Sequence, residues 1–211
     1  MIARKVSIVD YGMGNIWSIV SALKYLGVVD VRLISNPDDI MQSDFLILPG
    51  VGSFRKGMES LINSGIDKAI IDFSTKKKGN ILGICLGMHL MGSYGAEDGG
   101  TKGLGLLPNK VELFTPENLN GNKLPHVGFN STYISEDSGI FNNLDSESDF
   151  YYTHSYRMLA DDIQGRYAIC KYGIEFLAAF EMDNICGTQF HPEKSQTNGL
   201  ILLNNFVNKV I

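Results

Sequence analysis

Three cysteines, Cys85, Cys170 and Cys186, are an odd number with no C-x-x-C spacing, which argues against a disulfide framework and a zinc knuckle. Such sparse use of cysteine fits a reducing cytoplasm. No apolar run approaches the roughly 18 residues of a membrane span. The opening Val6-Ser7-Ile8-Val9 meets Asp10 too soon to form the apolar core of a signal peptide. There is no long basic tract, and 18 Lys and Arg against 23 Asp and Glu give a net charge of −5. That balance leaves no electrostatic footprint for nucleic acid. The four histidines are scattered, without H-x-x-x-H spacing or a carboxylate cluster, so no metal site is predicted. Gly12-Met13-Gly14-Asn15 lacks the third glycine of a dinucleotide fingerprint, and no suitably placed acid follows. The Asn130-Ser131-Thr132 sequon has no consequence in the cytoplasm.

What is present reads as one α/β domain over residues 1–211, without repeats, low-complexity tracts or a linker. Val6–Val9, Val31–Ile34, Phe45–Leu48 and Ile81–Ile84 are apolar, β-rich runs. They alternate with helical patterns: Ile16, Ile19, Val20, Leu23 and Leu26 share one face ahead of Gly27, and Phe54 to about Lys78 is broken near Ser64-Gly65. This is the pattern of an open, mostly parallel sheet covered on both faces. The second half adds extended segments at Lys110–Phe114, Phe150–Thr153, Arg166–Lys171, Phe176–Glu181 and Ile185–Gln189. A helix carrying Leu200, Leu203, Phe206, Val207 and Val210 closes the chain. Tyr94–Lys102 and Pro116–Asn122, rich in Gly and Asn, read as the least ordered stretches.

Chemistry concentrates in three places. Gly83-Ile84-Cys85-Leu86-Gly87 follows a strand and leads into a helix, a G-x-C-x-G elbow that lifts a nucleophile above the sheet. Backbone N–H groups and the dipole at that helix start favour a thiolate. A buried, inert thiol is the alternative for Cys85, and it is the preferred reading of Cys170 and Cys186, which lie in strand-like apolar runs. Downstream, Pro192 biases His191 toward an extended backbone, and Glu193 two positions on projects from the same side. A carboxylate there fixes the imidazole tautomer and supports the imidazolium formed when the base takes the thiol proton. Pro49-Gly50-Val51-Gly52 sits at the carboxyl end of a parallel strand, where open α/β sheets place ligands. Its backbone N–H can join that of Leu86 around a developing oxyanion.

Together these residues resemble the class-I (triad) glutamine amidotransferases, more narrowly the glutaminase subunits of imidazole glycerol phosphate synthases. The resemblance runs nearly end to end. It is carried by Ile8-Val9-Asp10-Tyr11-Gly12-Met13-Gly14-Asn15, Leu48-Pro49-Gly50-Val51-Gly52-Ser53-Phe54 and Gly103-Leu104-Gly105-Leu106-Leu107-Pro108. Tyr151-Tyr152-Thr153-His154-Ser155-Tyr156 and Phe190-His191-Pro192-Glu193-Lys194-Ser195 complete it. It implies a flavodoxin-like fold, with Cys85 as nucleophile, His191 as base and Glu193 as its orienter. It further implies substrate contacts from Gly50, Val51, Gly52, Leu86, His89, His154, Ser155 and Tyr156, and L-glutamine cleaved to glutamate and ammonia with no metal or organic cofactor. The implied partner is a (β/α)₈-barrel cyclase subunit forming a heterodimer, met through Asn15, Phe129 and Asn130, and coupled to hydrolysis. The Pro49–Gly52 loop is the candidate switch.

Two departures stand out. His89 occupies the place usually held by Gln in G-x-C-x-G-M-Q; a neutral imidazole still offers one donor and one acceptor. Pro125-His126-Val127-Gly128-Phe129-Asn130 replaces P-x-M-G-W-N in the segment that faces the synthase. Similar paralogues supply ammonia, with a cyclase-like partner, to a sugar nucleotide for surface polysaccharide, and that acceptor stays open beside the histidine pathway. A catalytically silent regulator is disfavoured by the intact Cys85, His191 and Glu193. A stand-alone Cys-His hydrolase would have no use for the motifs around Asp10 and His154.

Overall fold

The computed structural model describes residues 4–161 and 163–209; Val210, expected on the last helix, lies outside them. The first half runs β1 (Lys5–Val9), α1 (Ile16–Tyr25), β2 (Asp30–Ile34), α2 (Pro37–Ile40) and β3 (Phe45–Leu48). It continues through α3 (Phe54–Ser64), α4 (Ile66–Thr75), β4 (Asn80–Ile84) and α5 (Leu86–Met91). Then come β5 (Tyr94–Gly95), β6 (Thr101–Lys102), β7 (Lys110–Leu113), α6 (Pro116–Leu119), β8 (His126–Ile134) and β9 (Glu147–His154). The chain ends with β10 (Tyr156–Met158), β11 (Arg166–Tyr172), β12 (Ile174–Met182), β13 (Ile185–Thr188) and α7 (Gln196–Val207).

The main sheet has the order β2-β1-β3-β4-β13-β12-β11-β8-β9. Its first five strands pair in parallel and the remaining pairings are antiparallel. A second sheet, β10-β7-β5-β6, stands beside it. Period-2 alternation feeds two cores on opposite faces of the main sheet. Phe45 and Ile47 of β3, with Leu82 and Ile84 of β4, join the core under α1 and α7. Leu46, Leu48 and Ile81 join the one under α3, α4 and α5. Each strand is therefore buried on both sides, which is why these runs are continuously apolar.

Both stretches read as least ordered fold into defined structure. Tyr94–Lys102 pairs as β5 and β6 and is tied to α3, with Glu97 accepting from Phe54 N–H at 2.5 Å and Arg55 donating to the Asp98 and Gly100 carbonyls. Pro116–Asn122 contains α6, started by a capping box between Thr115 and Asn118. Glycine and asparagine signal turns, but the strand pairing, contacts with α3 and cap that order these stretches depend on which residues meet, which composition does not show.

Candidate active site

The strand-to-helix turn expected at Cys85 is present. Cys85 links β4 to α5 at φ 53° and ψ −110°, a conformation costing a non-glycine residue on the order of 1–3 kcal/mol. Packing enforces it: Cys85 N–H donates to the Thr188 carbonyl of β13 at 2.7 Å. Gly87 lies so close to the Leu48 carbonyl that a Cβ there would sit 1.8 Å from its oxygen. Cys85 is 6% exposed and opens on a cavity, whereas Cys170 and Cys186 are fully buried. Burial pushes both of those thiols up to about 12.

His191 follows β13 and is extended, and Pro192–Lys194 then turns as a short 3-10 segment rather than continuing straight. That turn brings Glu193 Oε1 to 2.8 Å from His191 Nδ1, with both side chains almost completely buried. Burial alone would pull the imidazole down, but the Cys85 and Glu193 side chains outweigh it and raise it to about 10. Among the described residues His191 Nε2 and Glu193 Oε2 have no hydrogen-bond partner. The imidazole thus keeps one nitrogen committed to the carboxylate and the other free.

The cavity, about 320 Å³, is lined by Cys85, Leu86, His89, Val51, Gly52, His154, Ser155 and Tyr156. The sequence singled out each of these as a candidate site residue, and the fold brings them together here. Its volume lies at the small end for ligand pockets, suited to an amino acid rather than a nucleotide. Gly50 is beneath it, wedged so that a Cβ would meet Tyr11 Oη at 2.5 Å. Its carbonyl accepts from Leu86 N–H at 3.3 Å, so the N–H expected to face an oxyanion is occupied by the loop itself. Tyr11 Oη donates to the Pro49 carbonyl at 2.7 Å and pins the loop's first residue, while Val51 is 42% exposed.

Several lining residues were not anticipated: Ser53, Phe54, Gly95, Glu97, Val111 and Thr153. Glu97 matters most, because it brings a carboxylate into the pocket. Its signal was hidden in a Gly- and Asp-rich stretch. His126 was also missed as a functional candidate. His154 Nδ1 donates to the Tyr156 carbonyl at 2.7 Å, which leaves Nε2 as acceptor of a neutral ring. His126 Nδ1–H therefore donates to it at 2.9 Å, and His126 Nε2 accepts from Asn130 at 3.3 Å. Stacking against Tyr152 and Tyr172 holds the His126 ring. Burial lowers His126 to about 4 and His154 well below the ordinary imidazole range, so both stay neutral.

His89, on α5, places Nε2 2.6 Å from Gln189 Oε1, and the Gln189 amide nitrogen donates to Cys85 Sγ at 3.8 Å. Burial lowers His89 to about 4 despite that bond. Asn15, Phe129 and Asn130 lie away from the cavity: Asn15 is exposed ahead of α1, and Phe129 is 49% exposed on β8. Among the described residues no helix is long and apolar enough to cross a membrane.

Comparison with known proteins agrees with this geometry. The family "Glutamine amidotransferase class-I" matches residues 7–210. "Imidazole glycerol phosphate synthase subunit HisH 1" of Parasynechococcus marenigrum is 46% identical, the alignment covering 96% of this chain and 97% of that protein. "Imidazole glycerol phosphate synthase subunit HisH 2" of Vibrio vulnificus is 39% identical over 98% of this chain and 95% of its own. The solved structure of PurLQS from Thermotoga maritima shares the fold, with a TM-score of 0.73, 17% identity, and coverage of 98% of this chain and 99% of that one.

Proposed function

The chain belongs to the class-I glutamine amidotransferases, and on that premise we propose that it is the glutaminase subunit of an imidazole glycerol phosphate synthase, serving histidine biosynthesis. The observation that carries the reading is Cys85 on a strained elbow, opening on an amino-acid-sized cavity beside His191 and Glu193. In this reading residues 1–211 act as one amidotransferase domain in the cytoplasm. Both named relatives are imidazole glycerol phosphate synthase subunits, which favours the histidine pathway over the sugar-nucleotide acceptor.

The Cys85 sulfur attacks the side-chain amide of L-glutamine. The imidazolium of His191, supported by Glu193, protonates the departing ammonia. Water activated by the same imidazole then clears the γ-glutamyl thioester to give glutamate. Glu97, across the pocket, offers a carboxylate to the substrate's α-ammonium, and the His154–Tyr156 segment lines its other side. The chain's own groups complete this half-reaction without a cofactor.

The tetrahedral oxyanion needs Leu86 N–H, which the Gly50 carbonyl holds at 3.3 Å. The resting loop is thus a closed state, and rotation of the peptide after the pinned Pro49 would release one donor and supply another. A synthase partner with a (β/α)₈ barrel, docked through Asn15, Phe129 and Asn130, is the proposed trigger. Val127 and Tyr133 extend the exposed apolar face of β8 on which it would sit.

Cys85→Ala tests the reading. Glutamine-dependent synthesis by the complex should fall by about 10⁴-fold or more, while synthesis from ammonium salts is spared. Retained glutamine-dependent turnover would refute it, as would failure of the wild-type complex to hydrolyse glutamine.

A further inference from the structure

Gln189 is fully buried, at the exit of β13 and two residues before His191. Its backbone is fixed by donation from its N–H to the Ala178 carbonyl at 2.7 Å, and the preceding Thr188 carbonyl holds Cys85 N–H. Elbow and strand end are therefore tied together through the backbone, and with Gln189 buried between them the question that matters is which end of its amide faces the sulfur. An amide turned one way donates N–H to Cys85; turned the other way it presents carbonyl lone pairs, which repel a sulfur anion.

His89 decides between them. Its Nε2 lies 2.6 Å from Gln189 Oε1, and a neutral imidazole can donate there only when Nε2 carries the proton. The remaining amide nitrogen then points at Cys85 Sγ, 3.8 Å away. Hydrogen bonds to an ionised acceptor are stronger than those to a neutral one, so such a donor favours the anion over the thiol. On the reading of Cys85 as nucleophile, we propose that Gln189 is a further catalytic residue, steadying the sulfur anion through its side-chain N–H, with His89 as the positioning residue that keeps that N–H facing the sulfur. The role also accounts for the departure at position 89: a glutamine there can donate its own amide N–H to the same oxygen.

The test reads the sulfur directly and needs neither glutamine nor partner. The whole chain is treated with iodoacetamide at pH 7, and alkylation of the Cys85 peptide is followed by mass spectrometry, with the fully buried Cys170 and Cys186 as unreactive internal controls. Gln189→Glu, which replaces the donor by an anion, should slow alkylation about tenfold or more. His89→Leu should slow it in the same direction, and His89→Gln should recover. Equal rates for wild type and a folded Gln189→Glu chain overturn the proposal. Where circular dichroism shows that variant unfolded, the other pair decides: a slower His89→Leu supports the role, and rates equal to His89→Gln overturn it. Glutamine hydrolysis by the wild-type complex is scored separately, so failure of the glutaminase reading is not confused with failure of this one.

Discussion

The two sides of the cavity put the same residue type to opposite uses. On one side His154 lines the cavity and is backed by His126 and Asn130 in a chain in which each ring nitrogen has a partner and burial holds both imidazoles neutral. On the other, His191 is as deeply buried, yet the Cys85 and Glu193 side chains overcome the desolvation and raise it to about 10. Its Nε2 is left unpaired beside a cysteine at positive φ. Burial sets the protonation state where nothing charged faces the ring, and the charged partners of His191 overturn it. Satisfied groups make a rigid wall, while an unpaired nitrogen and a strained elbow are the groups available to react.

Removing the carboxylate from the reactive side should have the largest effect. Glu193→Gln keeps the shape but can present an N–H to His191 Nδ1, which stabilises the wrong tautomer and withdraws support from the imidazolium. We expect kcat for glutamine in the complex to fall by about 10³–10⁴-fold with KM nearly unchanged. A loss below about tenfold would mean that His191 is not held by this carboxylate.

Opposite shifts also predict opposite pH limits. His89 and His126 titrate near 4 in the folded chain against an ordinary 6.5, so as pH falls below about 6.5 the unfolded chain binds protons first. Their contribution is intact above about 6.5 and is lost on descent to about 4, each at up to about 1.4 kcal/mol per pH unit. His191 behaves in reverse: its contribution is full below about 6.5 and disappears as pH rises through about 10. Urea midpoints across pH should show both limbs, and Cys85→Ala should flatten the alkaline one because the sulfur helps to hold the His191 proton. A flat acid limb, or an alkaline limb unchanged in that variant, would break the contrast.

A smaller effect is expected on the satisfied wall. His126→Leu leaves His154 Nε2 without its donor, a loss of about 1–3 kcal/mol in stability, and it frees the segment lining the pocket, so KM for glutamine should rise several-fold. His126→Asn can place an amide N–H near the lost Nδ1 and should recover part of both. Equal KM values for wild type and His126→Leu would show that His154 is positioned without it.

Much of the reactive side could be read from the chain. Continuous apolar runs fixed β1, β3 and β4 to within a residue, and the G-x-C-x-G and His191-Pro192-Glu193 spacings pointed to the residues proposed as nucleophile, base and orienter. The satisfied wall could not be read so easily, because β8 inverts the usual pattern. It buries His126 and Thr132 and exposes Val127, Phe129 and Tyr133, so hydropathy alternation points the wrong way. His126 and His154 are 28 residues apart, and only strand pairing of β8 with β9 brings them together. Glu97 was concealed in the same manner, by a glycine-rich segment whose structure depends on contacts with α3.

The inversion of β8 also supplies the mildest test. Phe129 is half exposed and, among the aromatic rings of the described residues, meets only Tyr151, edge-on at 5.6 Å between centroids. Phe129→Ala should therefore cost no more than about 0.5–1.5 kcal/mol in stability and leave both pH limbs in place. If this face receives the synthase partner, the same change should weaken that association about tenfold or more, as loss of a buried aromatic anchor does. Titration calorimetry against the cyclase subunit separates the two effects. An unchanged affinity would move the docking surface off β8 and leave the inversion of the strand without an explanation in partner binding.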